Sequence, residues 1–138
     1  MQPLVEKIIA QTKKWEQDFP GKQLTINITV VGYTDEQPFK PGTNLVKSLI
    51  EGVKYSVPKG ATPQRKFLNQ RLSLFRAQNI FDNVKELLLN SGELPIDVEI
   101  IDDIVGRGED IMEGIAAPYP QDDPRRRMCK VYSYVIAK

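Results

Sequence analysis

The sequence contains no histidine, and among its 138 residues it has a single cysteine, Cys129. Histidine is the commonest general base and metal ligand, so its absence argues against most acid–base and metal-dependent catalysis. One cysteine allows no internal disulfide, and without a histidine to activate it a structural role is favoured over a nucleophilic one. Neither a Gly-x-Ser-x-Gly motif nor a phosphate-binding glycine loop is present. The sequence therefore predicts a protein that is not an enzyme and needs no cofactor or metal.

An excess of charge of one sign is also lacking, because nineteen basic residues face eighteen acidic ones and the net charge is +1. Without a global positive field, nucleic acid is not an expected partner. A local basic cluster is present at residues 125–127. No apolar run approaches the roughly 18 to 20 residues that cross a bilayer, and the N-terminus shows no signal-peptide pattern. We expect the chain to be soluble, with any membrane attachment in segments outside it.

Hydrophobic periodicity predicts two amphipathic helices and three strands. Apolar residues recur at helical spacing over residues 4–19 and 68–90. Apolar and polar residues alternate over residues 24–33, which predicts a half-buried strand. Residues 97–105 and 128–137 are the other expected strands, and both faces of the last one carry apolar residues.

Residues 36–66 interrupt this pattern with repeated proline and glycine. We interpret them as an inserted excursion, loosely packed apart from a short helix favoured near residues 45–53, within a single domain that spans residues 1–138. Long segments of this kind are usually functional or disordered. The order of the elements predicts an α+β fold, a two-layer sandwich with helices packed on one face of a small mixed sheet.

Four residues of the second helix, Asn69, Leu72, Ser73 and Arg76, fall on one face because their spacing is three, four and seven residues. Arginine offers a planar, bidentate fork for a carboxylate. Asp35 follows the end of the first predicted strand, where ligand-binding groups are often displayed. If the two elements are neighbours, Asp35 and Arg76 face one pocket suited to a zwitterion. Spacing alone favours a simpler interpretation, a turn aspartate and an arginine in a surface ion pair.

Four motifs in this sequence resemble, in the same order, those of OmpA-like domains. Residues 30–35 (VVGYTD) are similar to a strand-turn motif that commonly reads Gly-His-Thr-Asp. Residues 68–77 (LNQRLSLFRA) resemble the helix motif Asn-x-x-Leu-Ser-x-x-Arg-Ala. Residues 106–109 (GRGE) resemble a Gly-x-Gly-Glu turn, and residues 123–128 (DPRRRM) resemble a closing Asn-Arg-Arg-Val segment. Together the motifs cover about residues 24–137.

In that family the domain holds peptidoglycan without cutting it, chiefly through the diaminopimelate of the stem peptide. The resemblance implies that Asp35 holds an amino group of this residue and that Arg76 holds a carboxylate, with Asn69 in support. It also implies that four further residues shape or flank the pocket: Thr34, Leu72, Ser73 and Arg126. Arg126 would meet carboxylate or glycan oxygens.

The sequence departs from the family pattern at several points. Tyr33 stands at the usual histidine and Arg125 at the usual asparagine. The segment between Asp35 and Asn69 is much longer than the family's short loop, and no strand is predicted before the first helix. The resemblance implies a periplasmic or cell-envelope location and a parent protein that other segments attach to the membrane. That parent could be an outer-membrane anchor, a lipoprotein or a motor stator subunit, and a homodimer is left open.

Two other functions are compatible with the sequence. A protein-interaction module could have kept the fold and lost the ligand, using residues 36–66 or the basic cluster 125–127 for another partner. A hydrolase is the third option, which the missing histidine and nucleophile motifs disfavour. Binding to soluble muropeptide separates the first two functions, and release of product would identify the third.

Overall fold

A computed structural model describes residues 2–53, 57–95 and 97–138. It combines helices with a small mixed sheet, in agreement with the expected α+β class. The elements in chain order are α1 (Gln2–Asp18), β1 (Leu24–Gly32), α2 (Asn44–Ile50), α3 (Ala61–Asn90), β2 (Glu99–Gly106), a 3-10 turn (Pro124–Arg126) and β3 (Cys129–Ala137). Within the described ranges, no helix combines the length and the apolar character needed to cross a bilayer.

The three strands are ordered β2-β1-β3. At the end of β1, the amide of Tyr33 donates to the carbonyl of Met128, just before the start of β3. These two strands are therefore antiparallel. The end of β2 meets the end of β1, because the amide of Arg107 donates to the carbonyl of Gly32. β1 and β2 are thus parallel, as a crossover through a helix requires, and the sheet is mixed.

Contacts between residues divide the chain into two compact units. The first unit comprises Met1–Val30, Gln78–Ile104 and Val131–Lys138, and the second comprises Val31–Ala77 and Val105–Lys130. Strand β1 and helix α3 each contribute residues to both units.

The first unit contains an apolar core. Strand β1 supplies Ile26, Ile28 and Val30, which alternate with polar residues and have no exposed surface. Helix α1 supplies Val5 and Ile8, one turn apart on its apolar stripe. The other buried apolar residues of this unit are Ile9, Leu24, Phe81, Val84, Leu88 and Val135. Removal of this apolar surface from water is the main force that holds the unit together.

Strand β3 has a buried and an exposed face that the sequence left undecided. Val135 is buried, whereas Tyr132 and Tyr134 are more than half exposed. The odd-numbered position therefore points into the core, and the tyrosines point outward. This assignment depends on pairing with β1, which the composition of β3 does not encode.

Both long helices begin earlier than the periodicity predicts. Helix α3 starts at Ala61 rather than near residue 68, and α1 starts at Gln2 rather than at residue 4. Each start places a proline, Pro63 or Pro3, in the first helical turn. Proline is tolerated there because the first amides of a helix have no helical partner. The last residues of the 36–66 segment are therefore helical.

Candidate functional site

Glycines let the turn after β2 and the end of β1 approach helix α3 closely. A Cβ on Gly32 would overlap the carbonyl oxygen of Ser73. One on Gly106 would lie 2.8 Å from the Ser73 hydroxyl, and one on Gly108 would lie 2.9 Å from the amide oxygen of Gln70. Gly108 also has a φ of +57°, which side chains rarely adopt. These contacts fix the end of β1, and hence Asp35, against the helix that carries Arg76.

Ser73 and Thr34 hold this junction together. The fully buried Ser73 hydroxyl donates to the carbonyl of Gln70 at 2.8 Å and accepts from the amide of Gly108 at 2.9 Å. The amide of Thr34 donates to the carbonyl of Gly108 at 2.7 Å. The Ser73 hydroxyl takes part in the junction between β1, the turn after β2 and α3, and the Thr34 side chain is buried there. Their role in the structure is to position the neighbouring residues.

Beside this junction, in the second unit, lies an open cavity of about 320 Å³. It is lined by Asp35, Gln37, Pro38, Phe39, Lys40, Thr43, Leu45, Asn69, Leu72, Arg76 and Arg127. Four of the residues expected from the sequence therefore share one cavity: Asp35, Asn69, Leu72 and Arg76. Three others lie off its wall: Thr34, Ser73 and Arg126.

Asp35 brings a carboxylate to the cavity wall and is only 5% exposed. Its Oδ1 accepts a hydrogen bond of 3.1 Å from the amide of Gln37, which closes a local turn. Its Oδ2 lies 2.8 Å from the Nε of Arg127, close enough for an ion pair. The two atoms lack hydrogen-bond alignment, and Oδ2 accepts no hydrogen bond from any described residue. Asp35 Oδ2 is thus buried at the cavity wall and held there by the charge of Arg127 alone.

Arg76 brings the opposite charge from helix α3. Its side chain is partly exposed and lines the same cavity as Asp35. Within the part of the chain that the structure describes, its guanidinium makes no hydrogen bond or ion pair. All five of its N–H donors are therefore available to a ligand.

Asn69 is held in place by a partly buried charge network. Its side-chain nitrogen donates to Glu109 at 2.7 Å, and Arg65 binds the same carboxylate through two hydrogen bonds of 2.8 and 2.9 Å. Burial disfavours the charged form of Glu109, but the hydrogen bonds from Arg65 and Asn69 outweigh it and hold the pKa of Glu109 below its usual range. Glu109 is therefore ionised at neutral pH, and Asn69 is oriented by an anion.

Arg126, the last residue of the 3-10 turn, and Arg127, which caps it, have roles that differ from the one expected of Arg126. Arg126 is 2% exposed, donates to the backbone carbonyl of Glu109 at 2.8 Å and pairs with Glu36 at 3.2 Å. It therefore holds the backbone at Glu109 in place, and it does not line the cavity. Arg127 is the arginine that reaches the cavity and Asp35. Sequence reasoning missed Arg127 because the direction of each side chain in a run of three depends on the turn.

The 36–66 segment supplies part of the cavity wall. Phe39 and Leu45 provide apolar surface, and Lys40 provides a cation. Pro38 and Phe39 also line a second cavity of about 330 Å³, whose walls include Val46. Proline-rich composition predicted a break in regular structure here, but the contact of Phe39 with the site is long-range and leaves no local signal.

No family model, curated protein or solved structure matches this chain. Among residues 2–53, 57–95 and 97–138, no three acidic, histidine or cysteine side chains form a group that could hold a metal ion. The geometry of the cavity is therefore the main guide to its ligand.

Proposed function

We propose that this protein binds peptidoglycan without cleaving it and anchors a parent envelope protein to the cell wall. The ligand is the free amino-acid end of diaminopimelate in the stem peptide, which carries an ammonium and a carboxylate. One observation carries the proposal: the buried carboxylate of Asp35 lines the same cavity as the guanidinium of Arg76, which has no hydrogen-bond or ion-pair partner among the described residues.

The two charges match the two ends of such a zwitterion. The ligand ammonium would donate to Oδ2 of Asp35, the buried oxygen that accepts no hydrogen bond from the described residues. The ligand carboxylate would accept two hydrogen bonds from the planar fork of Arg76. The methylene chain of diaminopimelate would lie against the apolar side chains of Phe39, Leu45 and Leu72. Each part of the ligand thus has a chemically suitable partner.

The motifs that resemble the OmpA-like family also contact one another. Gly32 of the first motif approaches Ser73 of the helix motif, and Ser73 accepts from Gly108 of the turn motif. Arg126 of the closing motif donates to the carbonyl of Glu109 in that turn. This mutual packing supports an OmpA-like fold of the βαβαβ type, with α1 as the first element among the described residues and with residues 36–66 inserted.

A non-catalytic role is consistent with the state of Cys129. Burial raises the pKa of its thiol, an effect that the charge of Arg76 offsets only in part. The thiol is therefore protonated at neutral pH and is a poor nucleophile. In the proposed role the domain acts in the periplasm, and the parent protein reaches the membrane through other segments.

Co-sedimentation with purified peptidoglycan tests the proposal. Asp35→Ala and Arg76→Ala should each weaken binding by about 2 to 5 kcal/mol, because each removes one partner of a desolvated charge pair. Arg76→Lys should also bind poorly, since an ammonium cannot reproduce the bidentate fork. Asp110→Ala and Arg107→Ala are matched controls, because both residues are exposed and lie off the cavity wall. These controls should bind like the parent protein.

Thermal melts of the same variants separate loss of binding from loss of fold. If Asp35→Ala and Arg76→Ala melt normally and still sediment with the wall, the site assignment is wrong. An interaction module that has lost the ligand then becomes the better description. Soluble muropeptides released in proportion to added protein would instead contradict the non-catalytic role.

A further inference from the structure

The charges around the cavity are unbalanced. One acidic side chain, Asp35, shares the described wall with three basic ones, Lys40, Arg76 and Arg127. Asp35 is paired with Arg127, whereas neither Arg76 nor Lys40 has an ion-pair partner among the described residues. A ligand that carries one ammonium and one carboxylate adds no net charge. It therefore leaves the excess of positive charge in place.

Arg127 occupies the position that a ligand ammonium needs. Its Nε lies 2.8 Å from Oδ2 of Asp35, while Oδ1 is already engaged by the amide of Gln37. An ammonium that hydrogen-bonds to Oδ2 must therefore displace this guanidinium. The displacement is feasible because the Arg127 side chain is 39% exposed, is held to Asp35 by charge alone, and makes its hydrogen bond to the carbonyl of Asp122.

Displacement has an electrostatic consequence. Once the ligand ammonium holds Asp35 and a ligand carboxylate holds Arg76, Arg127 has lost its counterion at the edge of the cavity. A second carboxylate on the ligand would restore that pairing with a charge-assisted hydrogen bond. An amide or ester at the same point would not, because it carries no charge. Arg127 thus distinguishes a free second carboxylate from an amide or ester, a group that lies outside the zwitterionic end of the ligand.

We propose that Arg127 is a displaceable counterion that makes the site select ligands with one ammonium and two carboxylates. The inference rests on the proposed function. In stem peptides, it means a preference for a stem that ends at diaminopimelate, whose second carboxylate is free. A stem extended by D-alanine has this carboxylate in a peptide bond and is the weaker ligand, although the new terminal carboxylate lies only a residue further on.

Isothermal titration calorimetry with purified disaccharide-tripeptide and disaccharide-tetrapeptide tests this selectivity. The parent protein should bind the tripeptide about tenfold more tightly, the effect of one hydrogen bond to a charged group. In Arg127→Gln the tripeptide should bind more weakly, while the tetrapeptide should bind equally well or better because Asp35 no longer has to exchange partners. The preference should therefore shrink or disappear.

Lys47→Gln is the matched control for loss of a positive charge, since Lys47 is exposed on α2 and does not line the cavity. It should keep the preference of the parent protein. Equal affinities of the parent for the two stems, or a preference that survives in Arg127→Gln, would overturn the inference while leaving the proposed function intact. A parallel loss of both ligands in Arg127→Gln would make Arg127 a simple wall residue. Absence of binding by either stem would overturn the proposed function and this inference together.

Discussion

The two units of the protein bury different kinds of side chain. In the first unit the fully buried residues are mostly aliphatic, as Ile8, Ile26 and Ile28 illustrate. Among the described residues of the second unit, six buried ones are polar or charged: Thr34, Asp35, Asn69, Ser73, Asp123 and Arg126. Burial of a polar group is costly unless it is hydrogen-bonded, so the second unit depends on specific partners to an extent that the first does not.

The difference separates residues that mainly stabilise the protein from residues that form the candidate site. Apolar packing is non-directional, so the first unit can hold together without placing any charge accurately. Hydrogen bonds and ion pairs are directional, and in the second unit they orient Asp35, Asn69 and Arg127 toward one cavity. The contrast predicts that aliphatic truncation in the first unit affects folding most, whereas changes in the second unit affect the site at a smaller cost in stability.

The largest expected loss of stability is in the apolar core of the first unit. Ile28→Ala removes a side chain with no exposed surface and should lower the free energy of unfolding by about 2 to 5 kcal/mol. Ile101→Ala is the matched control on β2, because Ile101 is 38% exposed and its truncation should cost about 1 kcal/mol or less. Urea denaturation of both variants measures the difference. Similar losses would show that the first unit lacks the tight apolar core described here.

A smaller loss of stability with a clear effect on the site is expected for Gly32→Ala. The added methyl would overlap the carbonyl of Ser73, so strand and helix must separate, at about 1 to 3 kcal/mol. That shift moves Asp35 relative to Arg76 and should weaken peptidoglycan binding. Thr29→Ala, at a half-buried position of the same strand, is the control and should retain binding. Wall binding by Gly32→Ala that equals the parent's would mean that this close approach does not set the site geometry.

Much of the fold was predictable because it depends on local periodicity. Alternation located β1, and helical spacing located α3, whose residues Phe81 and Val84 are buried in the first unit. The start of α3 was placed too late because Pro63 was interpreted as a break, although the first turn of a helix accommodates proline. Local patterns were therefore reliable for the type of each element and less so for its boundaries.

The candidate site was predictable only in part, since it is assembled from distant segments. Helical spacing and the position after a strand singled out Asp35, Asn69 and Arg76, and these residues do share a cavity. Periodicity says nothing about which arginine of the run 125–127 points toward the cavity, so Arg127 was missed. It also says nothing about the contact between Phe39 and the cavity, which depends on how the 36–66 segment folds back.

The smallest expected effect on stability concerns the Glu109 network of the second unit. Glu109→Gln keeps an acceptor for Asn69 but loses the charge that Arg65 binds, so it should cost about 1 kcal/mol at neutral pH. The pKa of Glu109 is lower in the folded protein than its ordinary value of 4.5, so ionisation of Glu109 contributes stability above that pH. The contribution declines as the pH falls from the ordinary value through the lower, folded pKa, where the folded protein also takes up the proton.

Other carboxylates titrate in the same pH range, so the informative quantity is the difference in free energy of unfolding between the parent and Glu109→Gln. We expect this difference to be constant between pH 6 and 7, roughly two units above the ordinary carboxyl pKa, and to diminish on acidification below it. Denaturant titrations at a series of pH values measure it directly. A difference that does not change with pH would mean that the Arg65–Glu109 ion pair contributes nothing through charge. Asn69 would then be oriented by its hydrogen bond alone, and the contrast between the two units would rest on packing rather than on electrostatics.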